Sequence, residues 1–315
     1  MSEAFFGQEF LQLSLVPLLV GTLASIACAL PGNFLVLRRQ SLIGDAVSHV
    51  VLPGIVAAFL VTGTVAATAM LAGAAAAAVV AVVLIEFVRR VGRIEPGAAM
   101  GVIFTTMFAA GVLMIEQSDT SGVHLDVEHA LYGNLESLVW FAAEDWGSLL
   151  DPVALADLPP QLARLAVVAA AMVVFTIVAW KELVLSTFDA GFAESVGARP
   201  TLTGFALVVA VAVAAVAAFD AVGSIIVIAM FICPPAAARL MTDRLVPQIA
   251  WSTGFAALSG IAGYVLAGYG PLWLGFEASV SAAGMIATVA GVLLAVACLV
   301  GPRRRGSGRS GAATA

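Results

Sequence analysis

Apolar residues run along this chain in long unbroken blocks, with polar residues confined to the gaps between them, so neither the period-two nor the one-face pattern of soluble elements applies. A helix rises 1.5 Å per residue, and about 20 apolar residues cross the ~30 Å hydrocarbon layer of a bilayer. Blocks of that length are predicted at 13–37, 42–61, 65–88, 98–115, 162–180, 202–219, 222–240, 246–267 and 280–300. The expected fold is therefore an all-α polytopic transmembrane bundle of about nine spans; an eight-span version with one re-entrant segment keeps most of the layout. Residues 1–300 form one membrane domain: four spans, a long segment at 116–161, then five more spans. The Gly/Ser/Arg/Ala tail at 301–315 is expected to be disordered. Two short apolar patches in the long segment, 135–141 and 146–150, fit helices lying at the membrane interface with Trp140 and Trp146 as anchors.

Composition agrees with this reading and adds a direction. At 62% hydrophobic, 11% charged and mean hydropathy +1.07, a chain of 315 residues has far more apolar surface than a soluble core can hide. Lys and Arg collect on the cytoplasmic side of membrane proteins. With the N-terminus outside and the C-terminus inside, Arg38, Arg39, Arg89, Arg90, Arg93, Lys181, Arg199, Arg239, Arg244, Arg303, Arg304, Arg305 and Arg309 all fall inside, and only Arg164 does not. The first block lacks a basic leader and a small-residue cleavage site, and it is long enough to span, so it is expected to stay in the mature protein. Cys28, Cys233 and Cys298 lie inside predicted spans without disulfide or C-x-x-C spacing and read as small core residues.

The net charge of −6 is mostly local, because 116–157 holds nine carboxylates and no Lys or Arg. An acidic outer face favours a cationic ligand or a basic partner. His124, Asp126, Glu128 and His129 gather four potential ligands there, an outer entry or carrier-docking site on one reading and a solvated loop on the other. Inside the spans, charge is scarce and costly. Asp45 and His49 stand at i and i+4, on one face of one helix, where both can grip one cation. A mixed carboxylate and imidazole pair suits zinc, manganese or ferrous iron, and two copies in a dimer supply four ligands. The plainer alternative is a hydrogen bond between the two. Pro53 and Gly54 weaken the helix just beyond. Glu86 precedes Arg89 and Arg90 by three and four residues and reads as a local ion pair, and Asp220 as a helix cap at the outer turn.

Phe231-Ile232-Cys233-Pro234-Pro235 is similar to the Cys-Pro element of P-type metal pumps, but the phosphorylation motif is missing. The single lysine, Lys181, also excludes a G-x-x-x-x-G-K-[ST] phosphate loop, so any ATPase must be another subunit and this chain is not itself an enzyme.

Several stretches, in order, resemble the permeases of the zinc, manganese and iron ABC importers. Gly44-Asp45-Ala46, Ser48-His49 and Leu52-Pro53-Gly54 are similar to that family's most recognisable run. His129-Ala130-Leu131-Tyr132-Gly133-Asn134 resembles the motif after its fourth span, Trp180-Lys181-Glu182-Leu183 with Phe188, Asp189, Phe192, Ala193 and Gly197 its ATPase-contacting region, and 222–244 its late signature. Relatives often carry Pro-Glu where this chain has Ala190-Gly191.

The resemblance implies a bacterial plasma-membrane permease, homodimeric or paired with a paralogue, that works with a cytoplasmic ATP-binding subunit and an extracytoplasmic metal-binding protein. It implies that Asp45 and His49 face the shared pathway, that the metal is cargo and that no cofactor is permanently bound. The region 183–200 then couples to the ATPase through a short helix near 190–196, with Phe188 and Phe192 as anchors. No nucleic-acid partner is expected. A proton-coupled secondary metal carrier, and an ABC permease for iron chelates or cobalamin, are the competing readings.

Overall fold

The computed structural model describes residues 7–63, 67–117, 133, 135–273, 275 and 280–302. Among these the α-helices are, in order, α1 Gln8–Leu13, α2 Leu15–Leu37, α3 Leu42–Thr62, α4 Ala67–Gly92, α5 Pro96–Gln117, α6 Pro152–Ala156, α7 Pro160–Val178, α8 Trp180–Phe188, α9 Ala190–Ser195, α10 Pro200–Met241, α11 Leu245–Trp273 and α12 Ala282–Val300, with the long connection falling between α5 and α6. Eight stretches of the described chain are long and apolar enough to cross a membrane. The expected block at 42–61 is also helical, as the 21-residue α3, in which Pro53–Thr62 is a shorter apolar run.

The 42 residues of α10 would make a straight rod of about 63 Å, twice a bilayer. Gly223 breaks it, at φ 74° and ψ 172°, a conformation essentially restricted to glycine. The break divides α10 into two crossing halves, Pro200–Phe219 and Ala221–Met241, α10a and α10b below. The break was expected at Asp220, but the backbone stays helical there and reverses three residues later.

The core is formed by α2 and α10, whose packed faces are almost wholly buried, while α4, α5 and α7 stand at the periphery with many exposed apolar side chains. Lipid offers apolar side chains no reason to leave it, so helices in a bilayer associate through close packing at small residues. Here Gly54 of α3 and Gly73 of α4 bring two backbones together, and a Cβ at Gly54 would lie 2.5 Å from the Gly73 carbonyl oxygen. Gly32 of α2 lets the backbone of Phe231 approach in the same way, and Gly263 admits Ile286.

At one end of the bundle, α1 and residues 135–158 fold into a cap. Gln12 Nε2 donates to the carbonyls of Phe141 and Ala143, and Glu136 Oε1 accepts from Ala282 N at the start of α12. Trp140 is fully buried here, its Nε1–H donating 2.8 Å to the Ala154 carbonyl. It is a core anchor of the cap and not the interfacial residue expected, because an indole buries well once its one donor is satisfied; Trp146 stays exposed. The apolar patches form 3₁₀ turns at Leu135–Ser137 and Trp146–Leu150. Cys28 is buried as expected, whereas Cys298 faces outward.

Candidate functional site

The chain leaves α2 at Arg38, turns at Arg39 with φ 57° and re-enters the bundle at Leu42, so Asp45 lies in the first turn of α3. A carboxylate there is favoured by the positive end of the helix dipole. Four residues on, His49 Nε2 sits 3.3 Å from Asp45 Oδ1. A metal holding both at about 2.1 Å and a near-tetrahedral angle would separate them by ~3.4 Å, so the pair already stands at the spacing of two ligands on one ion. His49 stacks on Phe104 of α5, centroids 5.4 Å apart, and meets the edge of Phe108 at 5.7 Å. These rings fix the imidazole plane and exclude water from one side of it. Both side chains remain about a third exposed, Asp45 at 29% and His49 at 33%. Among the described residues no group of three or more His, Cys, Asp or Glu side chains comes together.

Depth follows from Phe231. Its ring fills the space where a Cβ of Gly44 would be, and its backbone does the same at Gly32. Phe231 is eight residues from the Gly223 break and ten from the end of α10b, about 12 and 15 Å along the helix axis. Gly44, and Asp45 beside it, therefore lie near the middle of α10b, although α3 begins only three residues before Asp45. Gly111 of α5 packs against Pro53, and Gly54 against Gly73, so α3 is clamped on two sides at the point where proline would weaken it.

The second constellation lies at the end of the bundle opposite the cap. Asp189 caps α9 by accepting from Phe192 N at 2.9 Å, Ala193 is fully buried beneath it, and Gly197, at φ +83°, turns the chain toward α10. Phe188 and Phe192 project outward, 59% and 54% exposed. The short helix is thus where the sequence places it, one residue shorter than expected. What holds it was not legible: Arg38 donates from Nε to Thr187 Oγ1 at 3.0 Å and from Nη2 to Ser186 Oγ at 2.7 Å, tying the end of α2 to the end of α8. Burial lowers the Arg38 pKa from the usual guanidinium range. Glu86 pairs with Arg89 at 2.7 Å, as its spacing predicts.

His124, Asp126, Glu128 and His129 lie outside the described residues. Of the motif they adjoin, Gly133 is described, and it presses on the α10 break: a Cβ there would meet the backbone of Val222 and Gly223. Two stretches singled out separately in the sequence are therefore neighbours.

The family model of the ABC 3 transport family matches residues 9–140 and 154–301. The chain belongs to that family. It is 37% identical over 282 residues to the manganese transport system membrane protein MntD of Bacillus subtilis, covering 90% of each chain. It is 35% identical over 290 residues to the zinc transport system membrane protein TroD of Treponema pallidum, covering 90% of this chain and 73% of that one. Its fold is that of PsaBC from Streptococcus pneumoniae, solved in complex with Fab, with a TM-score of 0.72 at 24% identity over 92% of both chains. As a member of the family, the chain is the membrane-spanning permease subunit of an ABC transporter.

Proposed function

We propose that this permease conducts a divalent transition-metal ion, manganese or zinc by its relatives and iron by the same ligand chemistry, with Asp45 and His49 as pathway ligands. The observation that carries the reading is the 3.3 Å pair near mid-height of α10b, in a chain whose relatives are named for manganese and zinc transport. Two ligands hold a first-row ion weakly, which suits an ion that must leave again, and a second permease copy, identical or paralogous, contributes the remaining ligands.

The distribution of basic residues supports nine crossings with the N-terminus outside and the C-terminus inside, in a bacterial plasma membrane. In that orientation the cap meets an extracytoplasmic metal-binding protein, and the acidic segment with His124, Asp126, Glu128 and His129 serves as its docking or metal-entry surface. The opposite end meets the ATP-binding subunit through Phe188 and Phe192 on the frame of Asp189, Ala193 and Gly197. Closure of the ATPase dimer then rocks the two permeases against each other. The test is ATP hydrolysis by the reconstituted complex with its metal carrier. Manganese- or zinc-loaded carrier should stimulate it; an unresponsive rate, or stimulation by an iron chelate or cobalamin instead, would overturn the reading.

A further inference from the structure

Between α4, α10a and the start of α3, at the end of the bundle that carries α9, lies a cavity of about 760 Å³. It is separate from the Asp45 site. Its wall from α3 is Ile43 and Ala46, which at 100° per residue stand 160° and 100° around the helix from Asp45.

Three arginines reach the cavity, Arg38, Arg89 and Arg199, against the carboxylates Glu86 and Glu194. Glu86 is committed to Arg89. Arg38 spends two of its five N–H groups on the neutral hydroxyls of Ser186 and Thr187, and among the described residues no carboxylate lies within ion-pair reach of it. Its guanidinium instead runs along α10a, with Nη1 3.3 Å from where a Cβ of Gly204 would be. Partly buried guanidinium groups bind phosphate well, because the planar fork matches two of its oxygens. Below this rim the walls are apolar, and Val82, Ile85 and Phe205 supply them from the two span helices.

A charged rim at the ends of crossing helices over an apolar interior matches one ligand shape, a phosphate headgroup carrying acyl chains. We propose that this cavity binds an anionic phospholipid from the leaflet at that end of the bundle, its phosphate on Arg38 and Arg199 and its chains along Val82, Ile85 and Phe205. A soluble partner fits less well, since the walls belong to spans whose outward faces, Val83 and Phe87 among them, are exposed and apolar. Through Arg38, which lines the cavity and bonds to Ser186 and Thr187, the lipid bears on the α2–α8 tie beside the short helix α9.

The test is native mass spectrometry of the detergent-extracted chain with its ATP-binding subunit, titrated with phosphatidylglycerol, phosphatidylcholine or inorganic phosphate. Phosphatidylglycerol should saturate at one per chain and outbind phosphatidylcholine about tenfold, since both phosphates accept the same hydrogen bonds but only the choline cation opposes the arginines, at about 1 kcal/mol for each basic residue. Arg199→Gln should lower that affinity by a similar factor, and Val82→Phe should lower it again by narrowing the path of the acyl chains between α4 and α10a. Neither residue is a partner in the Arg38 bonds to Ser186 and Thr187, and an unchanged melting temperature in each variant separates loss of the lipid from loss of the fold. Equal binding of the two lipids, unchanged binding in both variants, or displacement by inorganic phosphate alone would overturn the assignment.

Discussion

The α3–α4 crossing sets the position of the candidate ligands, and Gly73→Ala tests it. The new methyl would lie 2.5 Å from the Ala58 Cβ, against a normal carbon–carbon separation of about 3.5–4.0 Å, and closer still to the Gly54 carbonyl oxygen. The obstacle is backbone, which cannot rotate away, so the helices must part by about 1 Å. Overpacking of this kind costs about 1–3 kcal/mol, here toward the upper end. Replacing glycine by alanine inside a helix returns about 1 kcal/mol. The net loss is about 1–2 kcal/mol, which lowers the melting temperature in detergent by about 2–6 °C. Gly101→Ala in α5 is the control, because nothing lies within 4 Å of its Cβ position and it should melt at or slightly above the parent temperature. Gly54→Ala combined with Gly73→Ala should cost less than the sum of the two, since helices already parted have room for the second methyl. If Gly73→Ala melts no lower than Gly101→Ala, the close approach is refuted.

Other expectations can be checked on the same purified protein. Gly223→Ala forces a left-handed, extended ψ on a residue with a Cβ, at about 1–3 kcal/mol, and should reduce the yield of monodisperse protein; a normal yield would mean the reversal in α10 tolerates other geometry. Trp140→Phe removes the indole donor from the Ala154 carbonyl, which keeps the Asp157 N–H at 3.2 Å, a loss of about 0.5–1.5 kcal/mol, and should speed proteolysis within 135–158, whereas an unchanged rate would contradict the cap's anchoring. Phe192→Ala removes a half-exposed ring, so the permease should melt within about 0.5 kcal/mol of the parent, yet retain its ATP-binding subunit about tenfold less well in pull-down; equal retention would exclude the docking role.

The helices were legible because a bilayer imposes one rule, a long apolar block for each crossing: eight of the nine expected blocks are helices of membrane length, and the ninth, 42–61, is the helix α3, of which Pro53–Thr62 is the apolar part. The i, i+4 geometry of Asp45 and His49 was legible for the same reason that makes helices periodic. Depth was not, because it depends on Phe231, more than 180 residues away, filling the space above Gly44. Trp140 was misplaced because an isolated indole in a short apolar run looks alike whether it meets headgroups or a cap, and the deciding acceptor, the Ala154 carbonyl, is a backbone atom with no signature. Arg38 read only as a topology marker, since its hydroxyl partners come from a helix nearly 150 residues later. The contact between Gly133 and the Gly223 break carried no periodic signal either; two glycines become informative only when one is seen against the other.

The central claim rests on Asp45 and His49, and metal uptake at limiting concentration tests it most directly. Complexes carrying Asp45→Asn or His49→Ala should still assemble with their ATP-binding subunit and carrier, since both side chains are partly exposed and neither anchors the core. Uptake of manganese or zinc should fall more than about tenfold in each, because losing one of few ligands weakens a site at least as much as losing a ligand's outer partner. Uptake at the parent rate by both assembled variants would contradict it.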